Sequence, residues 1–253
     1  MLNDIVWIYR RILPFLLALP LLAAVPFAAE LLQHVVEIML GLYKSGALTP
    51  AAREVRLVFG ILKIISIVVI IIVALRFWHF DGDARRALRP DLTTAAGFCV
   101  FAALEIVDSA VEDGIASLVA RVVNLDAAPL SVRLAVHLVP TFLWTFLSGL
   151  WLPWNIALLV DDRRMTLRRS LVSGWGQLSM YLGLICAGVI PLMTLHYIMG
   201  YAAVGKAGLI VWLLGTVDAA VVVVLTIAIA SSFYAVYDAA KARDELLKPA
   251  YAA

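Results

Sequence analysis

The sequence predicts an all-α fold, a polytopic transmembrane helical bundle of about six spans, and three observations carry that prediction. Of the 253 residues 64% are apolar and only 15% charged, with a mean hydropathy of +0.98; a water-soluble domain of this length would expose too much of that surface. The apolar residues fall in runs of about 20, the length that crosses ~30 Å of hydrocarbon at 1.5 Å per residue. Short charged segments separate the runs, and Lys and Arg are segregated among them.

The first span is expected at about 12–29. It follows Tyr9-Arg10-Arg11 and contains Pro14, Pro20 and Pro26, each of which removes a helical hydrogen bond, so a kinked crossing is expected. A cleavable signal peptide would begin in the same way. The run continues into the Glu30–Glu37 stretch without a small-residue cleavage site, however, and retention is expected. Segment 30–55 is more polar and ends in Ser45-Gly46 and Thr49-Pro50, a turn followed by a helix start.

The second span, about 57–78, is rich in Ile and Val, which lipid tolerates because a helix satisfies its own backbone polar groups. Arg76, Trp78 and His79 mark an interfacial belt at its end. After the charged loop Asp81–Pro90 comes span three, about 92–107. Its helix is expected to continue as an interfacial amphipathic helix, since Ile106, Ala110, Val111, Ile115, Leu118, Val119 and Val122 recur at helical spacing opposite Asp108, Glu112, Asp113 and Arg121.

Span four, about 134–160, is interrupted by Pro140 and Pro153 and carries Trp144, with Trp151 and Trp154 in an aromatic belt. The basic loop Asp161–Arg169 leads to span five at about 178–199. Span six, about 209–236, is longer than a perpendicular crossing needs, so tilt or protrusion absorbs the excess. Cys99 and Cys186 fall inside spans and read as small apolar fillers.

Charge placement sets the orientation. The N-terminus, the loops around 76–89 and 163–169, and the tail hold 13 of the 20 basic residues. Both termini are therefore expected on the cytoplasmic side of a bacterial inner membrane, in a single multi-pass domain covering 1–253. Two of these loops share a pattern, Asp83-Ala-Arg-Arg86 and Asp161-Asp-Arg-Arg164, which fits an internal repeat and equally fits loops shaped by topology alone.

The stretch from Leu152 to Pro191 contains Pro153, the polar loop, Arg168-Arg169-Ser170 and Gly174 before an apolar span. It resembles the multi-helix module shared by uncharacterised bacterial inner-membrane proteins and the membrane region of some glycerophosphoryl diester phosphodiesterases. About 40 residues carry the resemblance, and Trp154-Asn155 stands where an acidic residue often follows the Pro. The resemblance implies the membrane module and not the phosphodiesterase catalytic domain.

Two groups of polar residues are candidate sites. Glu30, His34 and Glu37, at i, i+4 and i+7, share one helical face. They offer two carboxylates and an imidazole to a divalent metal, although a polar face near the outer interface is more often just solvated. Lys63, Glu105, Asp108 and Asp218 form a candidate intramembrane polar site, because ionisable groups at that depth are costly and face a bundle interior, a partner or a cavity. The expected pairing is Lys63 with Asp218 or Glu105. His137 and His196 read as solitary interhelical hydrogen-bonding residues.

No nucleophile elbow, P-loop, dinucleotide fingerprint or His-Glu-x-x-His motif is present. The expectation is accordingly a non-enzymatic membrane protein without catalytic residues, metal or cofactor, a scaffold, assembly or accessory module. The alternative is a small transporter or permease component for a lipid or small solute. Its partners are the lipid bilayer and, further, a membrane protein or anionic lipid drawn to the basic loops, with no nucleic acid.

Overall fold

A computed structural model describes residues 2–46, 49–89, 91–103, 114, 118–119 and 147–247. Among the described residues the chain is all-helical, with no strand. The helices are α1 (Leu2–Ala18), α2 (Pro20–Met39), α3 (Leu42–Ser45), α4 (Pro50–His79), α5 (Ala84–Ala87), α6 (Leu92–Ala103), α7 (Leu147–Leu159), α8 (Leu167–Trp175), α9 (Leu178–Ala203) and α10 (Gly208–Leu247). Among the described residues four helices, α2, α4, α9 and α10, are long and apolar enough to cross a membrane, while the described stretches of α6 and α7 are apolar but shorter.

The amphipathic helix expected after span three lies outside the described residues apart from isolated positions, as do Glu105, Asp108 and His137. On α4, Leu57, Val58, Ile61, Leu62, Ile64 and Ile65 are exposed. Water would penalise that surface at about 25 cal/mol per Å², and hydrocarbon does not, so the pattern is compatible with a membrane-embedded protein. Cys99 and Cys186 are exposed as free thiols rather than packed as fillers.

The apolar run 12–29 is divided between two helices. α1 ends at Ala18, Leu19 leaves helical geometry, and Pro20 starts α2 at the first helical position, where its missing N–H costs nothing. Pro14 and Pro26 are accommodated inside helices. The helix long enough to cross here therefore runs from 20 to 39 and takes Glu30, His34 and Glu37 into its body. Thr49 caps α4 as the sequence suggests, its Oγ1 accepting from the Ala52 amide at 3.3 Å ahead of Pro50.

The chain forms two compact units: residues 1–89 with 183–235, and 90–182 with 236–253. In the first unit, α1 packs through Phe15 on Phe77 (5.6 Å between ring centroids, edge to face) and Trp78 packs on Tyr234 at 6.0 Å. The Arg11 guanidinium stacks on Trp7 and Tyr234. Buried Arg76 donates to the carbonyls of Ala87 (3.1 Å), Arg86 (3.2 Å) and Arg89 (2.9 Å), which folds the basic loop against the end of α4. Five residues of α9, Ile185–Val189, widen into a π-helical turn just before Pro191. The Tyr9 hydroxyl donates to the Gly188 carbonyl in that turn at 3.0 Å.

In the second unit, Ser170 Oγ accepts from the Trp154 amide (3.1 Å) and donates to the Leu150 carbonyl (2.7 Å). These backbone groups are four residues apart, the pair that an unbroken helix joins directly, so a side chain from α8 is inserted into the ladder of α7 beside Pro153. The approach depends on Gly174, where a Cβ would meet the Leu150 backbone at 2.9 Å.

The two basic loops end their helices alike. Asp81 and Asp161 have positive φ (52° and 56°), and the next amides, Gly82 and Asp162, donate back to Phe77 and Ala157, each at 2.8 Å. Both are Schellman caps with Asp in the left-handed position that Gly usually fills.

Candidate functional site

Everything in the site belongs to the first unit. α2 supplies Glu30, Gln33, His34 and Glu37, and all four are buried: Glu30 is 1% exposed, His34 5% and Glu37 3%. The solvated face anticipated for them is instead an inward one, because α4 and α10 cover it. α4 contributes Arg56 and Lys63, α9 contributes His196, and α10 contributes Asp218, itself 1% exposed. Tyr43 enters from α3, which follows the turn at Gly41 (φ 76°). Its own carbonyl accepts from the Gly205 amide at 2.7 Å, which ties α3 to the end of α9.

Each carboxylate has a cationic or hydrogen-bonding partner. The Lys63 ammonium lies 2.9 Å from Glu30 Oε2. Arg56 Nε donates to Glu37 Oε1 at 2.6 Å, Gln33 Nε2 donates to the same oxygen at 3.0 Å, and the Tyr43 hydroxyl donates to Glu37 Oε2 at 2.6 Å. Asp218 lies between two imidazoles, with His196 Nδ1 2.7 Å from Oδ1 and His34 Nε2 2.9 Å from Oδ2. The other nitrogen of His34, Nδ1, is 2.8 Å from the Tyr43 oxygen and 3.3 Å from Glu37 Oε2. Burial, and then the Glu37 carboxylate it bonds to, hold the Tyr43 phenol protonated well above its usual range.

The pairing differs from the expected one: Lys63 neutralises Glu30, while Asp218 is taken by the histidines. Lys63 and Asp218 do belong to the same cluster, and they join the Glu30, His34, Glu37 face that the sequence presents as a separate feature. His196 is an interhelical hydrogen-bonding residue, as its setting suggests, with Asp218 as its partner.

These side chains line a cavity of about 270 Å³ that also touches Leu42, Gly46, Tyr197, Gly200, Tyr201 and Val204. Tyr43, Ala203 and Val211 form an apolar cluster beside it. Gly215 lets the His34 ring lie on α10, since a Cβ there would sit 3.3 Å from ring carbons.

No family model, curated protein or solved structure matches this chain.

The chemistry is that of the residues themselves. Three carboxylates face two permanent cations, Lys63 and Arg56, so with both histidines neutral the cluster carries one net negative charge. One proton on an imidazole, or an added cation, completes it. Glu30 Oε1, His34 Nε2 and Asp218 Oδ2 also lie near enough together to share a metal ion. The residues that sequence reasoning missed here are Gln33, Tyr43 and Arg56. Only the turn glycines around Tyr43 and the position of Gln33 beside His34 signalled them.

Proposed function

We propose that this chain is a small transporter or permease component that binds a small hydrophilic solute in the Glu30–His34–Asp218 cavity. The observation that supports this reading is the convergence of ionisable side chains from four long apolar helices on one cavity. Charged groups in such helices are costly and concentrate at ion and substrate pathways. At about 270 Å³ the cavity falls just below the range of about 300–1,000 Å³ typical of drug-sized ligands, which favours an ion or small metabolite over a lipid. With both histidines neutral the cluster is one charge negative, which favours a cation, or a solute carried with a proton.

The topology belongs to the same proposal. Six spans in a bacterial inner membrane rest on the apolar runs, an amphipathic helix after the third on helical spacing, and cytoplasmic termini on the segregation of Lys and Arg. The resemblance of Leu152–Pro191 to a non-catalytic membrane module agrees with a chain that works without catalysis. The scaffold or assembly reading gives the cavity no role, so transport comes first.

The test is uptake into proteoliposomes containing the full chain, with panels of labelled inorganic cations, amines and amino acids. Uptake of one class above protein-free vesicles, lowered at least tenfold by Asp218→Asn, supports the proposal. Uptake equal to protein-free vesicles for every class, with a stoichiometric protein partner recovered from native membranes, replaces it with the scaffold reading.

A further inference from the structure

We propose that Glu30 Oε1, His34 Nε2 and Asp218 Oδ2 coordinate a divalent transition-metal ion of the zinc class. This goes beyond the transport reading and stands without it, since binding is measured on the purified chain with no flux required. Zinc bound by one imidazole nitrogen and two carboxylate oxygens has bonds of about 2.0–2.2 Å, which places tetrahedral ligand atoms about 3.3 Å apart. His34 Nε2 is 3.4 Å from Glu30 Oε1 and 2.9 Å from Asp218 Oδ2, and the three ligand atoms all lie within 4.8 Å of one another. A displacement of a few tenths of an ångström opens the shorter pair to the ion.

The outer contacts carry the argument further. A metal-binding histidine characteristically gives its other ring nitrogen to a carboxylate or similar acceptor, which fixes the tautomer and the ring orientation. His34 Nδ1 faces the Tyr43 oxygen and Glu37, leaving Nε2 as the inward ligand. Asp218 is held by His196, whose Nδ1 lies 2.7 Å from Oδ1 and 2.9 Å from Oδ2, and Glu30 is held through its second oxygen by Lys63. Each proposed ligand is thus oriented from behind by a partner on another element or, for Glu37, one helical turn away.

A second, independent feature belongs to Gln33, which lines the same cavity. The Gln33 side chain is 4% exposed and its Oε1 has no hydrogen-bond partner among the described residues. A buried carbonyl oxygen without a donor costs about 1–3 kcal/mol, and a three-ligand zinc keeps a fourth position open for water. Imidazole in the set favours zinc, iron or nickel over magnesium and calcium, which prefer oxygen alone. Binding displaces the proton between His34 Nε2 and Asp218, so His34 binds as the neutral imidazole and the charge of the cluster rises by one.

The experiment uses the full chain in mild detergent, without a polyhistidine tag and stripped with chelator, titrated with zinc(II) by calorimetry and assayed for bound metal. One equivalent is expected. Affinity should fall at least ~100-fold in His34→Gln and in Asp218→Asn, and about 10–100-fold in Glu37→Gln, which touches the ligand only from behind. Cobalt(II) bound to the wild-type chain should show the intense visible bands of a low-coordinate centre. Absence of binding at micromolar zinc, or equal affinity in both ligand variants, overturns the proposal. If those variants do not fold, the cobalt spectrum of the wild type decides, and a spectrum of the hydrated ion alone also overturns it.

Discussion

Asp218→Asn is the most informative single change, because it removes one charge and almost no volume from the centre of the cluster. Asp218 holds His196 at 2.7 Å and His34 at 2.9 Å. Hydrogen bonds to charged groups contribute about 1.5–3 kcal/mol each, and breaking a buried pair by removing one partner costs about 3–5 kcal/mol. Asn still presents one oxygen to one imidazole, which places the loss at the lower end, about 3 kcal/mol. In a chain of this size 1 kcal/mol moves the unfolding midpoint by about 2–4 °C, so the variant should melt about 6–12 °C lower. The assay is thermal unfolding of the chelator-stripped chain in detergent, followed by tryptophan fluorescence, so that stability is read apart from metal. A double-mutant cycle with His196→Ala should give a coupling of about 1.5–3 kcal/mol. A midpoint within about 2 °C of wild type, or strict additivity in the cycle, would refute a buried Asp218 clamped by two histidines.

Three further predictions follow from single contacts. Ser170→Ala strands the Trp154 amide and the Leu150 carbonyl, and at about 1–3 kcal/mol for a buried unsatisfied group it should lower the midpoint by several degrees; an unchanged midpoint shows that α7 closes its own ladder. Gly215→Ala places a methyl 3.3 Å from the His34 ring and should weaken zinc binding at least tenfold with little change in stability, whereas unchanged affinity means the ring has room to yield. Tyr43 keeps its phenol proton in the fold, while an unfolded tyrosine ionises near pH 10; its stabilising effect is therefore complete below pH 10 and declines as pH rises above it. Tyr43→Phe should remove that decline from unfolding measurements at alkaline pH, and the alkaline absorbance change of the folded chain up to pH 11 should be the same with and without Tyr43.

Much of the site was legible from spacing. Glu30, His34 and Glu37 share a face because i, i+4 and i+7 do so on any helix, and Asp218 and Lys63 stand out because charge is rare in apolar runs. Spacing along one helix does not report what lies across from it, which is why the contact of Lys63 with Glu30 is not read from the sequence. The helix that starts at Pro20 also runs ten residues past the expected end of the 12–29 run, for a related reason. The three polar residues lower the local hydropathy enough to look like an exit from the bilayer, whereas partners on α4 and α10 let the helix continue to Met39. Tyr43 is signalled only by its flanking turn glycines, because its role depends on the reversal at Gly41, a property of the backbone. Thr49-Pro50, by contrast, was readable as a helix start because capping is decided within four residues.

The distribution of the cluster along the chain also bears on how the protein is made. α2 is the least apolar of the four long helices, and it precedes the other three in the chain with three ionisable groups on one face. Lys63 and Arg56 follow within the next helix and cover Glu30 and Glu37. The carboxylate that completes His34 lies 184 residues downstream, on the last helix. Until α10 is in place, that imidazole has only half of its final surroundings. The nascent chain thus carries a built-in marker of incompleteness, and truncations that stop before residue 218 should be recognised as unfinished by membrane quality control, even though every earlier apolar segment has already been synthesised.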